Sequence, residues 1–148
     1  MKIYYFLEDI DLTIKQKKKI STWLQTVIQQ EGYRLAHLNF VFCSDQYLHQ
    51  HNKAYLGHDT LTDVITFDYA TSASYIFGDI YISVERVKEN AKIYEQPFLE
   101  ELYTVMVHGL LHLLGYDDHA TADKLLMREK ELFYLKQLLP TLQMRDKC

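Results

Sequence analysis

Residues 97 to 115 constrain the fold more than any other stretch of the chain. Pro97 suits the first turn of a helix, where its missing N–H is not needed, and Glu100 and Glu101 suit the positive end of the helix dipole. Leu99, Leu102, Val105 and Met106 recur at helical spacing, and after Tyr103 the stretch is apolar nearly all round. A helix with no wet face must be covered on every side, so the spacing predicts a central, buried helix, with Gly115 offering the left-handed stop. His108 and His112 are the polar exceptions. Four residues apart, they fall on nearly one face, one turn from each other.

Beyond the stop come Asp117, Asp118 and His119, three further candidate ligands on a chain that has just reversed. A rigid histidine pair plus one group from the following turn makes a three-ligand metal site with a position left open, the arrangement of catalytic rather than structural zinc. Imidazole nitrogen and carboxylate oxygen suit Zn2+, and Ni2+ or Fe2+ fit the same donors. Bound there, one metal ion brings the pKa of a water down to about 7, which points to metal-assisted hydrolysis. In the metalloprotease pattern His-Glu-x-x-His the residue after the first His is the general base. Here it is Gly109, so peptide hydrolysis by that route loses its base.

The 148 residues suffice for one domain, 1–148, with one real core. Five Gly and two Pro argue against a loop-rich or disordered chain. A net charge of −4 excludes a general polyanion binder, so any nucleic-acid contact must come from a local patch. Twelve Tyr and seven Phe supply packing area, and stacking area for bases where they are exposed. Cys43 and Cys148 make no disulfide framework; Cys43 lies in an apolar run that suits a buried, inert thiol. Neither a signal peptide nor an apolar segment of membrane-spanning length is present, and a reducing cytoplasm fits.

In chain order, residues 2–7 read as a strand, and a helix capped by Asp11 or Thr13 is expected from about Ile14 to Glu31, with Gly32 after it. Lys15 to Lys19 fall on its opposite face, read as a solvated surface with an RNA-facing patch as the alternative. Residues 37–43 read as a second strand, then a short helix capped by Ser44 or Asp45 runs to Tyr55. Gly57-His58-Asp59 is a turn. Residues 63–69 and 75–83 read as strands, with Gly78 marking a bulge or the close approach of another backbone. A helix follows from Ser83 to about Tyr94, then the central helix, then a last one from about Thr121 to Leu139 that ends before Pro140 and leaves a loose tail. The expectation is an α+β single domain, a small mixed β-sheet of about four strands packed with about five helices, one of them the buried helix carrying His108 and His112.

The block from His108 to Asp117 resembles the signature of the YbeY family, metal-dependent bacterial endoribonucleases of rRNA maturation. Asn52 to Tyr55, Gly57 to Asp59, Thr62 to Phe67 and Gly78 to Ser83 resemble its other blocks, in the same order. The resemblance implies an α+β fold with one zinc ion, action on single-stranded RNA at the 3′ end of 16S rRNA, and a part in quality control of the small ribosomal subunit. Two positions depart from the family pattern. Its third His falls where this chain has Asp118; register past the glycine favours Asp118 as the third ligand, with His119 the alternative one residue later. Its RNA-holding Arg falls at Leu56, which can neither bind a phosphate nor stabilise charge, leaving Arg34 or Arg86 as substitutes. The competing readings are a metallohydrolase of a peptide or small amide and a noncatalytic ribosome-associated zinc module. Oligomeric state does not follow from the sequence.

Overall fold

The computed structural model describes residues 2–56 and 62–146; side chains are described for residues 2–54 and 62–142. Among the described residues the order is β1 (Ile3–Leu7), α1 (Lys17–Gln30), β2 (Arg34–Cys43), α2 (Asp45–Leu56), β3 (Val64–Asp68), β4 (Tyr75–Ser83), α3 (Val84–Ile93), α4 (Phe98–Leu113) and α5 (Thr121–Asp146). The four strands form one mixed sheet in the order β1-β2-β4-β3. β1 and β4 run parallel to β2, while β3 runs antiparallel to β4 and forms an edge. Five helices and a four-stranded mixed sheet are the α+β architecture expected.

Alternation along the strands sets the layers. Leu38, Phe40 and Phe42 of β2 and Ile76, Ile80 and Ile82 of β4 point to one face and join the core beneath α1, α3, α4 and α5. The opposite face is covered in part by α2, where Cys43, Leu48 and Ile65 pack together. Burial pushes the Cys43 thiol up to about 12, so it is inert. Tyr4, Phe6, Tyr69 and Phe77 remain exposed. The heavy aromatic load is thus divided between core and surface.

α4 is the helix the sequence singles out, and residues 101–107 and 109–111 along it are buried. Two glycines set its distance from the sheet. A Cβ on Gly109 would lie 2.7 Å from Ile80 Cγ2, and one on Gly78 would lie 2.5 Å from the Phe67 carbonyl oxygen and 3.2 Å from Leu113 Cδ1. Gly78 therefore marks a close approach of backbone. Position 109 points into the sheet, so a general base placed there would be buried against Ile80 rather than turned to the cleft.

Three boundaries differ from expectation. α1 starts at Lys17 instead of Ile14, because Gln16 is left-handed (φ 57°) and residues 11–17 alternate like extended chain, with Leu12 and Ile14 packed on the core. Lys19 is not simply solvated: its Nζ donates to the Thr141 carbonyl at 2.8 Å. β2 starts at Arg34 instead of His37; a register shift between Leu35 and His37 breaks the period-two pattern that would reveal it. The largest correction is α5, which runs through Pro140 to Asp146. Pro140 is exposed, whereas Leu138 and Leu142 on either side are buried and hold the helix down. Packing outweighs the one hydrogen bond the proline removes. The turn expected at Gly57-His58-Asp59 and the terminal Cys148 lie outside the described residues.

Candidate metal centre

His108 and His112 project from one face of α4, and Gly115 (φ 101°) turns the chain so that Asp118 returns beside them. The two Nε2 atoms are 3.1 Å apart, and Asp118 Oδ2 lies 3.4 Å from each. Two second contacts orient the rings. His108 Nδ1 is 2.5 Å from Glu131 Oε2, and His112 Nδ1 is 3.1 Å from the Tyr116 carbonyl oxygen. With an oxygen acceptor at each Nδ1, a neutral ring keeps its hydrogen there and turns its Nε2 lone pair inward. When both rings are neutral, two nitrogen lone pairs and a carboxylate oxygen converge, an arrangement that draws in a cation, whether a metal ion or a proton on His108. Ligands at 2.0–2.1 Å in a tetrahedron are separated by about 3.3 Å, close to all three edges here. His108, His112 and Asp118 could together hold a metal ion.

His119 stands elsewhere. Its side chain is 87% exposed and its Nε2 pairs with Asp117 Oδ1 at 3.2 Å. Asp117, Asp118 and His119 form a second, more exposed group of ligand atoms. Only the buried-helix group has its ring orientations fixed by further hydrogen bonds, the usual companion of ligating histidines.

The triangle lies between two clefts. One, of about 490 Å3, is lined by Asn52, Thr62 to Thr66, both histidines and Asp117 to His119. The other, of about 590 Å3, lies beside His108 and includes Asp63, Glu101, Arg128 and Glu131. Burial opposes a charge on His108, but Glu131, Asp63 and Asp118 outweigh it and hold the pKa above the ordinary histidine value. In the metal-free site a proton therefore competes for this ring to higher pH than usual. Burial raises the Asp63 carboxyl although His108 is near, and raises Glu101, to which Gln96 donates. Neither Arg34 nor Arg86, the expected substitutes for the missing arginine, lines either cleft. Arg86 is held by Asp45 at 2.9 Å between α2 and α3. The side chain of Leu56 lies outside the described ones.

The model of the family described as endoribonuclease YbeY matches residues 5–139. The chain belongs to that family. A YbeY protein of Amoebophilus asiaticus, named endoribonuclease YbeY, is 55% identical over 133 residues, covering 90% of each chain. One of Cytophaga hutchinsonii with the same name is 46% identical over 129 residues, covering 87% of this chain and 90% of its own. A Thermotoga maritima protein solved in solution superposes with a TM-score of 0.67 at 28% identity, covering 96% of this chain and 92% of its own.

Around the YbeY histidine block the structure adds residues the sequence did not bring forward. Glu131 is 23 positions from His108 on another helix, and no spacing rule connects them. Glu31, at the end of α1, clamps the turn that follows α4. It accepts from Tyr116 Oη at 2.6 Å, from Lys130 Nζ at 3.2 Å and from the Tyr134 hydroxyl. Tyr116 is therefore pinned by its hydroxyl while its carbonyl steers His112. Removing that hydroxyl in Tyr116→Phe is expected to weaken metal binding about tenfold, the lower end of what outer-shell contacts contribute. Competition against a chromophoric chelator measures this; an unchanged affinity would mean the turn needs no such pin.

Proposed function

We propose that the chain is a zinc-dependent endoribonuclease that cleaves single-stranded RNA, with His108, His112 and Asp118 as the ligands of one zinc ion. The reading is carried by the convergence of those three acceptor atoms at 3.1–3.4 Å. Membership of a family whose relatives are named endoribonuclease YbeY supports RNA as the substrate. The resemblance further supports maturation of the 16S rRNA 3′ end on the small ribosomal subunit, and a place in the cytoplasm. No described helix is long and apolar enough to cross a membrane.

Zinc in this site would supply Lewis acidity toward a phosphodiester and make a water acidic enough to react near neutral pH. The chain's own residues prepare the place. Glu131 and the Tyr116 carbonyl hold the imidazoles in the ligating tautomer, and Asp118 offsets part of the ion's charge. Asp63 lines both clefts, and burial holds its carboxyl above the ordinary aspartate range. Gly109 faces Ile80 rather than the cleft, which argues against peptide hydrolysis by a base at that position.

Separate Asp118→Ala and His119→Ala variants test the ligand set. Metal content by elemental analysis and affinity by chelator competition are expected to fall at least a hundredfold in the first and less than threefold in the second, as for a ligand against an exposed bystander. Metal kept by Asp118→Ala and lost by His119→Ala would transfer the role to His119. The same elemental analysis identifies the ion.

A further inference from the structure

A phosphodiester entering this site meets mostly oxygen. Asp63, Glu101, Glu131 and Asp118 line the cleft beside His108, and Asp117 joins Asp118 in the other. Carboxylates repel RNA phosphates, so a bare cleft of this kind would turn its substrate away except at the metal itself. One side chain answers this. Among the described residues lining the two clefts, Arg128 is the one lysine or arginine. Residues 57–61, Gly-His-Asp-Thr-Leu, contribute none in sequence.

Arg128 is held in a particular way. It lies on α5 between buried Met127 and buried Glu131. Its Nη1 donates to Glu131 Oε1 at 3.1 Å, while the other oxygen of the same carboxylate faces His108 Nδ1 at 2.5 Å. One buried carboxylate thus aligns both a histidine of the triangle and a guanidinium. The Arg128 side chain is 53% exposed, so it is open to a ligand while remaining tethered. A guanidinium carries five N–H donors in a planar fork that matches phosphate oxygens, and Glu131 takes only part of it. Glu131 is buried and gains from a cationic partner, while the outer half of the guanidinium stays exposed at the mouth of an oxygen-lined cleft.

We propose that Arg128 grips a phosphate of the RNA strand in the cleft beside His108, the task that Leu56 cannot perform. This rests on the reading of the site as an RNA-cleaving metal centre. Its contact with substrate is separable from any service to the metal, because Glu131 keeps its hydrogen bond to His108 when the guanidinium is gone.

The test compares metal-loaded wild type, Arg128→Gln and Arg128→Lys in cleaving a fluorescent single-stranded RNA across 50 to 200 mM salt, beside metal affinity for each. Arg128→Gln is expected to lose roughly tenfold in kcat/KM, mostly through KM, as for one charge-assisted hydrogen bond. Its plot of log kcat/KM against log salt is expected to flatten by about 0.7, one single-strand phosphate contact. Arg128→Lys is expected to restore the slope, because the charge returns, but only part of the rate, because the fork does not. Metal affinity is expected to stay within about twofold in both, since the outer-shell contact to His108 survives. An unchanged salt slope in Arg128→Gln, whether or not metal binding weakens, would overturn the proposal and leave Arg128 as a prop for Glu131. A wild type that cleaves no RNA would remove it together with the reading beneath it.

Discussion

Replacing His112 with alanine is expected to cost RNA cleavage on the order of a thousandfold or more, because the several kcal/mol that a metal supplies to charge development is lost with the ion. The expectation follows from the geometry of three acceptors. Removing one vertex leaves His108 and Asp118, which cannot enclose a cation against water. The Tyr116 carbonyl is then left without its imidazole donor, a smaller loss because that turn is half open to water. Cleavage of a single-stranded RNA should fall together with metal content, and chelation of the wild type should reproduce the loss. Added Zn2+ should restore the chelated wild type and leave His112→Ala inactive. Full cleavage by His112→Ala, with only a lower melting temperature, would instead make the ion a brace for the turn.

The second large effect is structural. Gly78→Ala is expected to destabilise the protein by about 3 kcal/mol, the upper part of the range for overpacking a tight core. For a chain of this length that lowers the melting temperature by roughly 10 °C. The added methyl would meet the Phe67 carbonyl at 2.5 Å, and a strand's backbone cannot turn aside as a side chain can. Either β3 leaves β4 or α4 lifts at Leu113, one residue past the second histidine. Thermal melting of the metal-free protein measures the cost without the contribution of bound ion. A change below 1 kcal/mol would show that β3 has room to shift.

What could be read without coordinates follows the reach of the physical rules. The central helix, its stop at Gly115 and the pairing of His108 with His112 depend on periodicity and on one turn, all between Pro97 and Gly115. Asp118 against His119 was a question of register, and the turn geometry places Asp118 beside the pair. Glu131 and Glu31 were invisible because their relation to the histidines exists only through the packing of α5 and α1, which no local pattern encodes. Pro140 misled for a related reason. A proline's cost is local and easily read, while the burial of Leu138 and Leu142 that overrides it is a property of the folded whole.

The hydrogen bond between Glu131 and His108 joins two helices made at different moments of synthesis. The ribosome adds α5, 26 residues long, only after the three inner groups have already been polymerised. At about 5 to 20 residues per second that interval lasts on the order of seconds. Throughout it a nascent chain has its histidines but not the carboxylate that fixes one of them, nor the guanidinium beside it. The orientation of His108 is thus completed only when the last helix packs.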